Sequence, residues 1–331
     1  MSQEHPFAEY VRILGKGKRG ARSLTEAEAH AAMAMIVRGE AEPAQIGAFL
    51  MLIRIREETP EEASGFVAAA RNSFTRPATG TPVRIDWPAY AGKRRQLPWF
   101  VLSALLLAGS GYPVLMHGIS GHDRRVYAIQ ALQALGIGAS ATLSDAAQEI
   151  SRSGFAYIAL EKFCPVLHRL IELRSLLGLR SPMHSVARMV NPLNAAVQLQ
   201  GIFHPNYRDI HQQAALLLKQ PHMAVLKGEG GEIERNPDVP CMVQSIHHGV
   251  EHAEEWHALF AARHLKDEGM DVSRLPALWR GEISDEYGEA AVIGTAAIAL
   301  RALGEADSIA AAEAQAAELW KRRPDSWAKA A

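Results

Sequence analysis

Four short β-rich segments, Val83–Asp86, Pro113–His117, Ala156–Leu160 and Met223–Lys227, recur along the chain with helical patterns of ten residues or more between them. Crossovers of that length allow successive strands to run parallel, so the spacing predicts a mainly parallel sheet with helices on its faces. Residues 24–75 have a different rhythm. Thr25 with Glu28, and Thr59 with Glu62, have capping-box spacing, while Pro43 and Pro60 sit where a first helical turn tolerates proline. Ile46, Phe49, Leu50 and Ile53 fall at i, i+3, i+4 and i+7, a single apolar stripe that must pack against something. The change of texture after Pro77 sets the expected boundary. A helical domain spans 1–76, joined again by helices returning near 161–190, and an α/β domain spans 77–331. Alanine-rich helices over 286–303 and 307–321 close the second domain.

At 331 residues, with 48% hydrophobic and 21% charged, the chain can bury one large or two modest cores. Cys164 and Cys241 are too few and too isolated for a disulfide framework or a cysteine-based zinc site, and are read as small core residues in a reducing compartment. The longest apolar run, Leu97–Ala108, is too short to span a bilayer, and the polar N-terminus has no signal-peptide core. A cytoplasmic protein without membrane association is expected. The formal net charge of -1 gives the molecule no overall basic field, so binding to nucleic acid would require a localised patch.

The stretch Leu24–Arg71, with "LTEAEAHAAMAMIVRGEAEPAQIGAFLMLIRIREETPEE", resembles the helical domain of the anthranilate phosphoribosyltransferases and related nucleoside phosphorylases. The likeness continues in order through "HG" at 117–118, "ALG" at 134–136, "RSLLGLRS" at 174–181 and "NPLNA" at 191–195. It implies a small helical domain beside a large α/β domain, and a homodimer formed through the helical part. Catalysis in that family depends on a GTGGD loop after the first strand, whose backbone amides approach a diphosphate closely. Here Val83–Asp86 is followed by Trp87, Pro88, Ala89, Tyr90, Ala91 and Gly92. Pro88 removes a donor, and Trp87 and Tyr90 are expected to fill the phosphate's space.

Further family positions are also altered. The Asn-x-Ser-Thr phosphate contacts align with Leu97, Pro98, Trp99 and Phe100, and the KHGN motif survives only as Met116, His117, Gly118 and Ile119. Arg125 falls on a downstream lysine. The magnesium-binding acidic pair becomes Glu232, Ile233 and Glu234, two carboxylates that can share a side of an extended chain. A residual magnesium site is the lesser alternative to no cofactor at all. Arg174 matches the arginine that contacts the aromatic acid. Gly92, His117, Gly118, Arg174, Glu232 and Glu234 therefore define a vestigial pocket, with no catalytic residue assigned.

With "YAGKRRQLPW" at 90–99 and "KGEGGEIERNP" at 227–237, the pattern is similar to the YbiB-type branch, which implies nucleic-acid binding without transferase activity. Three basic clusters suit that ligand. Lys16, Lys18, Arg19 and Arg22 lie on a glycine-punctuated loop before a capped helix. Lys93, Arg94 and Arg95 replace the diphosphate cradle, with Tyr90 and Trp99 near enough in sequence to stack on bases. Arg169, Arg174, Arg180 and Arg188 form a series expected to reach the interdomain cleft. Any one cluster could equally be a solvated face. No groove-reading element is recognisable, so the expected partner is single-stranded DNA or RNA, bound without sequence preference. The competing expectation is a phosphoribosyltransferase or phosphorylase-like enzyme of altered specificity. His247, His248, His252 and His257 lack a metal motif and are read as surface or core residues.

Overall fold

The structure, a computed structural model, describes residues 4–17, 19–121 and 124–324. It opens with helices α1 (Ala8–Gly15), α2 (Glu26–Val37), α3 (Pro43–Arg56) and α4 (Pro60–Arg71). Both expected capping boxes form: each threonine hydroxyl accepts from the glutamate amide, and each glutamate side chain accepts from the threonine amide. Glu62 also accepts from Leu24 N at 2.8 Å, tying the entry of α2 to α4. Phe49, Leu50 and Ile53 are fully buried and Ile46 partly so. Phe49 packs edge-to-face against both Phe7 and Phe66.

The larger part is built on a seven-stranded sheet. Its strands are β1 (Ile85–Ala89), β2 (Val114–Gly118), β3 (Phe155–Ala159), β4 (Val197–Ile202), β5 (His222–Lys227), β6 (Cys241–His247) and β7 (Val250–Trp256), in the order β3-β2-β1-β4-β5-β6-β7. The first five are parallel; β6 and β7 add an antiparallel hairpin. One face, with Ile85, Trp87, Val114 and Met116, packs on helix α5 (Phe100–Gly109) and on the helix Glu286–Leu303. The other, with Leu115, Ala156 and Ile158, shares a continuous core with the N-terminal helices and with the helices Pro165–Glu172 and Met183–Arg188. Arg71 spans this junction, donating to the carbonyls of Met189 and Val190 at 2.9 Å each.

The first strand differs from its expected position. It begins at Ile85 and runs on through Trp87, Pro88 and Ala89, which the sequence pattern places in the following loop. Pro88 is tolerated because pairing with β4 involves only Ile85 and Asp86 and has ended before the proline. Trp87 accordingly points into the core and stacks on Phe100, so it fills no phosphate space. Among the described residues, no helix is long and apolar enough to cross a membrane.

Candidate functional site

The loop leaving β1 meets the loop leaving β5, and the encounter is made of amides and carboxylates. The second loop, "GEGGE" at 228–232, folds back on itself tightly. A Cβ on Gly228 would stand 1.7 Å from Glu232 O, and Gly231 has φ +98°. That reversal delivers three glutamates to one place. Glu232 Oε1 accepts from the amides of Ala91 and Gly92 at 2.7 and 2.6 Å. Glu229 Oε1 accepts from Arg95 N at 2.8 Å and Arg94 N at 3.2 Å. Glu234 Oε2 accepts from Phe100 N at 2.8 Å, at the start of α5. The chain's own carboxylates therefore fill an amide-lined anion cradle.

Lys93 completes this arrangement from within. Its ammonium lies 2.5 Å from Glu234 Oε1 and 3.1 Å from Glu229 Oε2, and the residue is 1% exposed. Burial works to lower the lysine's pKa, but the two carboxylates outweigh it and the net shift is upward. Burial raises both Glu232 and Glu234. Lys93 thus differs from its expected role as an exposed phosphate contact, because it supplies the counter-charge for buried acids. The same geometry tests the magnesium alternative. Glu234 faces a built-in ammonium and Glu232 faces two amides, and no group of three or more metal-ligating side chains among the described residues could hold an ion. Glu232 Oε2, by contrast, is buried with no hydrogen-bond partner.

His117 and Gly118 are both buried within the sheet. His117 is fully buried, with Nδ1 2.6 Å from the Tyr90 hydroxyl. Its Nε2 is 3.1 Å from Asp86 Oδ1, a contact too poorly aligned to count as a hydrogen bond. The row continues through Gln198 Nε2, donating to Asp86 Oδ2 at 2.9 Å, and Gln200 Nε2, donating to Gln198 Oε1 at 2.8 Å. It ends with His211 Nδ1, 2.6 Å from Gln200 Oε1. A Cβ at Gly118 would stand 2.1 Å from Ala89 O, so this glycine lets β2 pass β1. Tyr90 and Trp99, expected as stacking platforms, are both buried; large apolar rings gain more from the core than from solvent. Gly92 keeps its loop position and has φ +66°.

The remaining cations fall into two groups. Arg94 and Arg95 project exposed side chains from the β1 loop, and Arg125 Nη1 donates to Ala91 O at 2.8 Å beside them. Arg174 is exposed, while Arg180 is held to a pKa of about 10 by burial and by the fields of Arg188, Arg125 and Arg174. These arginines therefore share one neighbourhood. Arg188 is buried and donates to His184 O at 2.6 Å, with Gly231 O at 3.4 Å. The N-terminal loop stands apart on the helical domain, where Lys16 and Arg19 are exposed and Arg22 forms a two-pronged pair with Glu28 at 2.7 Å. Lys18 lies outside the described residues.

Sequence reasoning missed the groups that face the arginines. Arg54, Glu58, His184 and His211 line a cavity with Arg180 and Arg188, assembled from α3, the turn after it, the 180–188 segment and helix Tyr207–Leu217. Nothing in their spacing pointed to a shared site.

A helical bundle joined to a parallel α/β sheet, with an anion cradle after the first strand, defines the class. Residues 9–74 match the glycosyl transferase family helical bundle domain and residues 101–322 match the glycosyl transferase family a/b domain, so the chain belongs to this family. β1 and its loop lie between the two matched stretches. Among curated relatives, the anthranilate phosphoribosyltransferase of Moorella thermoacetica is 30% identical, covering 93% of this chain and 92% of that protein. The uncharacterized protein YbiB of Escherichia coli is 29% identical, over 70% of this chain and 73% of that protein. The solved anthranilate phosphoribosyltransferase of Thermus thermophilus superposes with TM-score 0.81 at 24% identity, covering 94% of each chain.

Proposed function

We propose that this protein binds single-stranded nucleic acid through phosphate contacts along the arginine-bearing cleft, and that it does not transfer phosphoribosyl groups. The observation that carries the reading is the gathering of Arg188, Arg125 and Arg174 around Arg180, with Glu232 the opposing charge near Arg188. Clustered like charges raise the free energy of the empty site and lower it when an anion arrives. Arg94 and Arg95 extend the cationic surface from the loop nearby. A transferase or phosphorylase of altered specificity would share the same fold. Against it stands Glu232, seated on the amides of Ala91 and Gly92. A homodimer through the helical domain, in a cytoplasmic setting, and no cofactor complete the proposal; a dimer would present two copies of the Lys16–Arg22 loop.

Fluorescence polarisation with labelled single strands and duplexes across a salt series tests the binding. With about six phosphates neutralised, the single-strand slope of log affinity against log salt is expected near -4, a loss of roughly 300-fold between about 50 and 200 mM. Affinity indifferent to salt, or turnover of phosphoribosyl diphosphate with anthranilate that is lost in Arg174→Ala, would overturn the proposal.

A further inference from the structure

Beside the cleft lies a cavity of about 120 Å³ whose walls include Arg54, Glu58, Arg180, Ser181, His184 and Arg188. A cavity of this size has room for a few waters or one phosphate group. Three of its buried walls carry polar atoms without a hydrogen-bond partner in the fold, one of them Glu58, 3% exposed, at Oε1. Arg188, 7% exposed, leaves Nε unmatched, and Ser181, 6% exposed, leaves its hydroxyl unmatched. Buried donors left unsatisfied are costly, and their repeated occurrence around one cavity indicates that a ligand supplies the acceptors.

Charge defines that ligand further. Three guanidiniums, from Arg54, Arg180 and Arg188, face one carboxyl, Glu58. Burial raises the pKa of Glu58, favouring the neutral form that donates rather than repels. Burial and the fields of Arg180 and Arg188 push His184 down to about 3, so the ring is neutral and leaves the positive excess to the arginines. The groups come from separate elements, α3, the turn after it and the 180–188 segment, and so converge from several directions. A tetrahedral dianion meets such a set with more oxygens than a planar carboxylate offers.

We propose that this cavity is a phosphomonoester site, gripping either free phosphate or the terminal phosphate of a strand; only the second source rests on the nucleic-acid reading above. The phosphate sits among Arg54, Arg180 and Arg188, with the rest of any strand beyond them.

Calorimetric titration with inorganic phosphate tests the cavity without reference to any strand. One phosphate per chain is expected to bind at millimolar concentration or below, about tenfold more weakly in Arg54→Gln and with little or no binding in Arg188→Gln. Arg54→Gln is the safer variant for folding, because Arg188 also holds the carbonyls of His184 and Gly231. A second arm compares one oligonucleotide carrying a 5′-phosphate with its 5′-hydroxyl twin. About tenfold tighter binding of the phosphorylated strand, erased by added phosphate, supports end recognition. No saturable phosphate binding, or binding untouched by both substitutions, overturns the cavity even if both strands bind equally well. Phosphate binding without strand binding leaves the cavity standing and removes the nucleic-acid reading.

Discussion

The loop after β1 and the cavity behind Arg188 both collect groups that attract anions, backbone amides in the first and guanidiniums in the second. In the loop, Glu229, Glu232 and Glu234 meet the amides and Lys93 meets Glu229 and Glu234, so these groups find partners inside the fold. Around the cavity, Arg180 and Arg188 push on each other and on His184. The two anion-seeking places thus differ: the first is filled by the chain's own carboxylates, and the second is the one proposed above to take a ligand.

The largest expected effect breaks the closed side. Lys93→Ala would strand Glu234 and Glu229 without their cation, and removing one partner of a buried pair costs about 3–5 kcal/mol. Denaturant unfolding should show that loss, while Arg94→Ala, one residue away on an exposed side chain, should change stability by no more than about 0.5 kcal/mol. Equal effects would mean that Lys93 is no more than surface charge.

Acidity separates the two sides next. Burial with Arg180 and Arg188 holds His184 at about 3, and burial with Arg188 holds His211 at about 3, both below the ordinary 6.5. The unfolded chain therefore takes up these protons first. Stability from each ring is complete above about 6.5 and drains as pH falls toward about 3, by roughly 1.4 kcal/mol per pH unit per histidine. Glu232 and Glu234, raised by burial, act in the opposite sense: their contribution is fullest when protonated and declines as pH rises through the carboxylate range. Urea unfolding between pH 7 and about 5 should show His184→Gln with a shallower acid loss than the parent protein. Identical slopes would show that His184 is not held neutral by its surroundings.

The smallest effect concerns the open side's rim. Arg94→Ala with Arg95→Ala should leave the fold intact and flatten the single-strand salt slope by about 1.4, since each neutralised phosphate contributes about 0.7. Replacing Lys16 and Arg19 should flatten it less if that loop stays clear of the cleft. An unchanged slope in the first pair would remove the β1 loop from the interface.

Much of the architecture was legible because its signals are local. Thr25 with Glu28 and Thr59 with Glu62 read as helix starts from three-residue spacing, and the apolar texture of β2, β3 and β5 read as buried parallel strands. β4 escaped notice because Val197–Ile202 alternates with Gln198 and Gln200, which are buried only by virtue of hydrogen bonds to Asp86, His211 and each other. The outer hairpin strand β7 is mostly exposed and polar, so no apolar run marks it. In the site, the loss of glycines after β1 was visible, but the burial of Lys93 was not. Its partner Glu234 lies 141 residues away, and a basic run gives no sign of which member will turn inward. Trp99 and Tyr90 misled for the same reason: adjacency to cations says nothing about which way a ring points.

The buried row between Tyr90 and His211 gives the sheet interior a polarity. From the His211 end, Gln200 and Gln198 each receive at the carbonyl and donate from the amide, both steps running toward Asp86. From the other end, the Tyr90 hydroxyl can give its proton to His117 Nδ1, which leaves the Nε2 hydrogen facing the same carboxylate. Asp86 is thus where the glutamine line ends, with His117 Nε2 3.1 Å from its other oxygen but not hydrogen-bonded to it. His211 carries its hydrogen on Nδ1, facing Gln200 Oε1, so its second nitrogen presents a lone pair on the side of the row away from Asp86. Turning either glutamine carboxamide end for end would set donor against donor at one joint and acceptor against acceptor at the next, so the row can exist in only one sense.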